Sequence, residues 1–443
     1  MTQSAPPRAN LLSVPQASAM LIGAVVGIGI FKTPPIVAAN TDSAPEFIGL
    51  WLLGGMLTLI GALCYAELGS AHPSSGGEYH YIRRAYGPLP GFLFGWGRMT
   101  VMQSGAIAAV AFVYGDYATA LVPLGAYGPA IHAAIAIVVL TALQLRGTTL
   151  SGLTQLGLTV LTVGGVLLVS AAALLIDQPP ASAAAPAASG GAAGLALVFI
   201  LLTYGGWSET AYLSGELRDV RRNLPRVLII GTLAVTALYV IANLALIEAM
   251  GLTGLRSAET VISGPIANEL GPAGTILVSL IVCITALSTL NATVFTGARS
   301  IQALGRSFPP FSGLARADAN ETPAAALLAQ ALIVLGLIAF GATARDGFTA
   351  MVEYTAPVFW TFLMLVGISL FLFRWREPAR DIPFRVPVYP ITPVLFCATS
   401  AYLLYSSLVY TGAGALVGVG ILAAGVPLYA FGRGSRQAEA AAE

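Results

Sequence analysis

The sequence predicts an all-α membrane protein of twelve transmembrane helices, the first ten falling into two groups of five with opposite orientation. Three observations carry this reading. The 443 residues are 56% hydrophobic and 9% charged, whereas a soluble domain carries about 25% charged residues; mean hydropathy is +0.81. Apolar stretches long enough to cross a bilayer recur along the whole chain, with no soluble domain set apart. Finally, glycines interrupt the first and sixth of these stretches at matching places.

A helix needs about 20 mostly apolar residues to span hydrocarbon. Twelve segments qualify, near 12–38, 46–69, 90–121, 129–146, 150–176, 193–215, 225–250, 272–300, 323–341, 347–373, 390–411 and 413–432. Basic residues orient them. With the N-terminus inside, the cytoplasmic side collects Arg83, Arg84 and Arg98 around the start of span 3, the Arg218–Arg226 cluster, and Arg374–Arg385. Of 21 Lys and Arg residues, only Lys32, Arg256 and Arg345 fall outside, as the positive-inside rule requires. Both termini, 1–11 and 433–443, are therefore expected in the cytoplasm. No A-x-A cleavage site follows the first apolar run, so span 1 reads as an uncleaved anchor.

Residues 177–192, "DQPPASAAAPAASGGA", are low in complexity and almost uncharged. They read as a flexible external linker between the groups 12–176 and 193–373, and residues 374–432 supply two further helices. Five is odd, so the two groups enter the membrane in opposite senses, as an inverted repeat does. In the first span, "GAVVGIGIFKTPP" (23–35) places Gly23, Gly27 and Gly29 inside a helix and closes it with Pro34 and Pro35; span 6 places Gly205 and Gly206 mid-span. Both glycine and proline are poor helix formers. Backbone groups freed by such breaks cannot face lipid, so they line a cavity. Half-helix N-termini favour a carboxylate there, and unwound carbonyls favour a cation.

Composition also excludes. Net charge is +1, too little to attract nucleic acid. Cys64, Cys283 and Cys397 lie in apolar runs without metal-ligand spacing, and His72, His80 and His132 are scattered. No metal, cofactor or enzymatic cluster is expected, and no Walker motif points to ATP-driven pumping.

Longer strings then resemble one family, the amino acid–polyamine–organocation transporters. They are "GAVVGIGIF", "AELGSAHPSSGGEYHYIRRAYGPLPGFLFGW" (66–96), "TYGGWSETAYLSGELRDVRRNLPR" (203–226), "STLNATVFTGAR" (288–299) and "RWREPARDIPFRVPVYPITPVLF" (374–396). Spans 6 and 8 are most similar to the L-type, sodium-independent exchangers and their bacterial relatives. The resemblance implies a LeuT-like fold of two inverted five-helix repeats plus two peripheral helices, working by alternating access in the plasma membrane. It implies that a substrate carboxylate meets the N–H groups of Gly27, Ile28 and Gly29. The ammonium would meet carbonyls around Ala24, Val25, Leu202 and Gly205, with Gly206 completing the break.

Departures from the pattern matter. Ile28 stands where the family often has serine, leaving backbone alone for the carboxylate, and Leu202 replaces a bulky aromatic gate, for which Tyr204 and Trp207 are candidate substitutes. Thr162 stands where relatives carry a lysine, so Thr162, Ser288 and Thr289 together form a candidate sodium site. Ser208 takes the family's substrate-facing position, and Asn291, Met102, Gln103, Ala106 and Ala109 are expected near the pocket. Glu209 reads as the only unpaired acidic group near the site, either structural or proton-linked, because one residue along a helix turns a side chain about 100° from Ser208. Glu216 with the following arginines reads as a cytoplasmic gate, and Lys32 reaches the external vestibule.

The expectation is a permease for amino acids, chiefly neutral L-amino acids, working as exchanger or as sodium- or proton-coupled symporter. The rivals are a transporter of polyamines or cationic amino acids in which Glu209 reads the positive charge, and an amino-acid sensor that never completes transport. Oligomeric state is not legible.

Overall fold

In the computed structural model, which describes residues 13–74, 76–146, 149–175, 193–214, 217–258, 271–316, 323–410 and 413–442, the described residues form helices and no β-strand. The linker 177–192, the tail 1–11 and Glu216 lie outside the described residues. Nine helices among the described residues are long and apolar enough to cross a membrane, and the bent pair α1 (Val14–Val25) and α2 (Gly29–Ala39) makes a tenth. Two shorter apolar stretches are Gly157–Leu168, within α8 (Thr149–Leu175), and α9 (Ala193–Thr203).

Local chemistry sets the helix boundaries. Ser43 caps α3 (Ala44–Ala71) by accepting from the Glu46 N–H at 3.3 Å, with Pro45 in the first turn where its missing N–H costs nothing. Gly87, at φ +94°, ends α4 (Gly77–Tyr86) and turns the chain into α5 (Pro88–Gly97). A π turn, Arg98–Met102, joins α5 to α6 (Gln103–Leu121) as one continuous span. Next come α7 (Gly128–Leu145), α8 and α9, then a 3-10 turn Trp207–Glu209 and the short α10 (Thr210–Leu213). The second half continues with α11 (Val220–Ser257), which kinks at Gly251, α12 (Pro272–Ser307) and α13 (Ala324–Gly341). Asp346 caps α14 (Gly347–Arg376) by accepting from the Phe348 N–H at 3.1 Å. Finally, α15 (Ile391–Tyr410) precedes α16 (Ala413–Ala442), which continues through the segment read from sequence as a C-terminal tail.

Pro34 and Pro35 do not close the first span. Both sit inside α2, which runs on to Ala39, so the break lies before the prolines, at the glycines. The outer faces of α7, α13 and α16 expose Val138, Val139, Leu332 and Leu416, the expected dress of lipid-facing helices. At the Arg-rich end, Arg374 grips the buried Glu67 with two hydrogen bonds of 2.7 and 2.6 Å. The same carboxylate accepts from the Val386 N–H at 2.6 Å, fastening the segment between α14 and α15 onto α3.

Candidate functional site

Two broken helices cross in backbone contact. The halves of the first, Ala17–Val25 and Gly29–Ala39, diverge by 47°. The second stops at Thr203 and turns through Tyr204–Gly206 before Trp207–Glu209. Gly206 has φ +101°, a conformation that side chains with a Cβ rarely adopt, and a Cβ there would sit 2.6 Å from the Ala24 carbonyl oxygen. A Cβ on Gly29 would lie 2.7 Å from Thr203 Cγ2. The glycines therefore do two things: they break each helix and let the broken backbones touch.

The breaks free carbonyls, and side chains from neighbouring spans answer them. The Tyr239 hydroxyl of α11 lies 2.8 Å from the Val25 carbonyl oxygen and 3.2 Å from that of Thr203, tying the last turn of α1 to the last turn of α9. Thr33 Oγ1 and Thr203 Oγ1 share a hydrogen bond of 2.7 Å. No side chain caps the first turn of α2, so its leading N–H groups have no partner of that kind.

A cavity of about 260 Å³ adjoins this crossing. From the first break it is lined by Ala24, Val25, Gly27, Ile28 and Gly29, and from the second by Leu202, Gly205, Gly206, Ser208 and Glu209. Met102, Gln103, Ala106 and Ala109 form a wall of small and unbranched side chains. Thr289, Thr293 and Thr296 of α12 contribute polar lining, and Phe348, Val352, Phe359 and Phe362 of α14 contribute apolar lining.

Some residues singled out from the sequence lie elsewhere. Tyr204 is fully buried behind the breaks, in a cluster with Trp51 (ring centroids 6.2 Å apart) and Tyr239 (5.0 Å), and its hydroxyl donates to the Trp51 carbonyl. Trp207 packs on Tyr65 with centroids 4.7 Å apart. Neither ring lines the cavity, whose aromatic side chains include Phe199, Phe348 and Phe359. The Asn291 carbonyl and Oδ1 accept from Gln144 Nε2 of α7 at 2.9 and 3.2 Å, so this side chain pins two helices. Thr289 lines the cavity, while Ser288 is buried away from it. The Thr162 hydroxyl is buried without a hydrogen-bond partner among the described residues. It is Thr159, one turn earlier, that lies against the broken helix, with Oγ1 2.5 Å from where a Cβ on Gly23 would stand.

The floor of the cavity carries the charge. Arg98, counted from sequence among the cytoplasmic arginines, is instead buried in the π turn. Its Nη2 donates to both oxygens of Glu209 at 2.7 and 2.8 Å, its Nη1 to Glu78 Oε2 at 3.2 Å, and its Nε to Ser300 Oγ at 3.1 Å. The guanidinium also lies 4.6 Å from the centroid of the Tyr212 ring. Glu209 is therefore paired, and a second carboxylate, Glu78 of α4, lines the same floor. The hydroxyls of Tyr65 and Tyr212 donate to Glu78. Burial raises the pKa of the Glu78 carboxyl above its ordinary value despite Arg98 and Tyr65, and Glu209 nearby adds to the rise. Away from the cavity lining, Lys32 of α2 pairs with Asp116 of α6 at 3.2 Å, half-buried.

Sequence reasoning missed Glu78, Arg98 and Tyr239. The signal for the first two was an arginine inside a span and an acid in "GGEYHY", since buried opposite charges seek each other. A lone tyrosine in an apolar span carries no comparable mark.

A helix pair bent by 47° and a second helix interrupted at Tyr204–Gly206 meet beside the cavity, in a chain with nine described helices long and apolar enough to cross a membrane; this arrangement fits a membrane protein of the solute-transport class. The sequence model of the amino acid permeases matches residues 12–430, and the chain belongs to that family. It is 30% identical to the b(0,+)-type amino acid transporter 1 of Homo sapiens over 401 residues, 88% of this chain and 81% of the relative. It is 29% identical to the serine/threonine exchanger SteT of Bacillus subtilis (strain 168) over 437 residues, covering 95% of this chain and 96% of the relative. With the large neutral amino acids transporter small subunit 2 of Mus musculus it shares 28% identity over 432 residues, 94% and 80% of the two chains.

Proposed function

We propose that this permease is a secondary transporter of neutral L-amino acids that works by alternating access, as an exchanger or an ion-coupled symporter. The observation behind the proposal is the crossing of the two breaks at Gly206 and Ala24 on the wall of the cavity. There the N–H groups of Gly27, Ile28 and Gly29 would receive the substrate carboxylate, and carbonyls near Ala24, Val25, Leu202 and Gly205 its ammonium. The side chain would lie between the threonines of α12 and the apolar face of α14. Neutral substrates are favoured over polyamines or cationic amino acids because Arg98 occupies both oxygens of Glu209. The names of the relatives, a serine/threonine exchanger and a large-neutral transporter subunit among them, agree with an amino acid as cargo.

In this reading the nine long helices, the bent pair α1–α2, α8 and the broken α9–α10 make twelve spans of a LeuT-like fold. Residues 12–176 and 193–373 form the two inverted repeats, α15 and α16 are peripheral, and both termini face the cytoplasm. The test is uptake and counterflow in proteoliposomes with a panel of radiolabelled neutral and cationic amino acids and polyamines. It is run with and without internal substrate, a sodium gradient and a pH gradient. Movement of neutral amino acids is expected; no accumulation or exchange of any amino acid would overturn the proposal.

A further inference from the structure

We propose that Glu78 is a proton-binding site coupled to transport: its carboxyl holds one proton while Arg98 and Glu209 close the inner end of the cavity, and gives it up when that end opens. The inference rests on the transporter reading above. It begins with charge. One guanidinium serves two carboxylates, and Arg98 and Glu78 are each 6% exposed. The division is unequal, for Glu209 takes two bonds of 2.7 and 2.8 Å from Nη2 and Glu78 a single one of 3.2 Å from Nη1. A buried carboxylate without its own counter-charge neutralises by taking up a proton. Glu78 is the deeper of the two, since the Glu209 side chain is 25% exposed.

The titratable and charged groups facing Glu78 can be named element by element. They are Tyr65 from α3, Tyr81 from its own helix, Arg98 from the π turn, Glu209 from the 3-10 turn and Tyr212 from α10. Among the described residues Arg98 is its only ion-pair partner. The upward shift of the Glu78 carboxyl by burial agrees with this count.

Geometry links the proton to movement. Gly77, at φ +46°, brings the start of α4 against Tyr212, where a Cβ would stand 2.9 Å from the ring. The Ser74 N–H donates to Ser214 Oγ at 3.1 Å, and that hydroxyl donates back to the Ser74 carbonyl at 3.0 Å. The base of α4 is thus latched to the second half of the broken sixth helix. A swing of that half that parts the Ser74–Ser214 latch carries Tyr212 and Glu209 away from Glu78 and lets water in. The proton then passes to water, and the carboxylate left behind pairs with the guanidinium that Glu209 has released. Because Glu78 also lines the cavity, the closed state can be reloaded from the cavity side.

The experiment uses the full-length protein in proteoliposomes containing a pH-sensitive dye, with the radiolabelled amino acids that the wild type exchanges. With acid outside, the wild type is expected to accumulate label while the lumen acidifies, approaching about tenfold for each unit of pH gradient at one proton per substrate. Glu78→Gln should lose the accumulation yet retain counterflow. Accumulation driven equally well in Glu78→Gln, or a wild type that exchanges but does not respond to the pH gradient, would overturn the proposal. In parallel, infrared difference spectra across a pH titration should show a protonated carboxyl band that Glu78→Gln removes. Tyr65→Phe should shift the band, which keeps the assignment testable where the glutamine variant does not fold. A missing band, or one indifferent to both substitutions, refutes the site. A wild type that moves no amino acid overturns the transporter reading instead, and the infrared band still decides whether Glu78 holds a proton.

Discussion

Gly206→Ala tests whether contact between the two broken helices matters. Two separable costs follow from the structure. The first is conformational, because a Cβ at φ +101° costs about 1–2 kcal/mol in the left-handed region. The second is steric: the new atom would lie 2.6 Å from the Ala24 carbonyl oxygen and 3.0 Å from its carbon, so backbone must move, and overpacking of this kind costs about 1–3 kcal/mol. Gly87 provides a comparison in which contact plays no part: its φ is +94° with ψ −171°, and nothing lies within 4 Å of its Cβ position. Gly87→Ala therefore carries a conformational cost alone. We expect both variants to lower the melting temperature of purified protein, and Gly206→Ala alone to weaken binding of a labelled amino acid. If the crossing opens to relieve the second cost, affinity falls about tenfold for each 1.4 kcal/mol. Unchanged affinity in Gly206→Ala would show that the helices do not need to touch there.

Three further outcomes can be checked. Tyr239→Phe removes the hydroxyl that bridges the Val25 and Thr203 carbonyls; a loss of about 1–3 kcal/mol of stability is expected from stranding a buried acceptor, with weaker substrate binding in a saturation assay. Lys32→Met should change stability by no more than about 1 kcal/mol, as partly exposed ion pairs do, but should raise the labelling rate of a cysteine introduced beside Asp116. His72, packed on Phe373 with centroids 4.4 Å apart and rings tilted by 39°, is held neutral by burial and has its pKa lowered from 6.5 to about 4. A depressed folded-state pKa supplies stability that is present above pH 6.5 and is lost as pH falls towards 4, so thermal melts of His72→Phe should decline less than wild type across that window.

Much of this architecture was legible because lipid leaves few choices. The positions of the nine long helices among the described residues follow from apolar length, and the breaks at Gly27–Gly29 and Gly205–Gly206 follow from residues that weaken helices where backbone would otherwise be satisfied. What the sequence hid depends on direction. Tyr204 and Trp207 flank the second break, yet the turn at Gly206 sends both rings behind the cavity, against Trp51 and Tyr65. Thr159 rather than Thr162 meets the first helix, a difference of one turn that span edges uncertain by several residues cannot resolve. Glu78 and Arg98 stand twenty positions apart across the turn at Gly87, and only the packing of α4 beneath the cavity joins them.

The π turn at Arg98–Met102 has a meaning beyond its local shape. The N–H of Gln103 reaches back to the Arg98 carbonyl, while Ser104 Oγ donates to the Met99 carbonyl and the Tyr354 hydroxyl to that of Thr100 at 2.8 Å. Such a turn holds one residue more than the α-helical ladder accommodates. Deleting one residue lets the ladder close and rotates one half of the span by about 100° against the other. Arg98 would then leave Glu209 while Ala106 and Ala109 still faced the cavity. Within one helix, chain length sets whether the floor is charged and composition sets the shape of the walls, so the ionic machinery and the substrate preference of this permease can diverge independently.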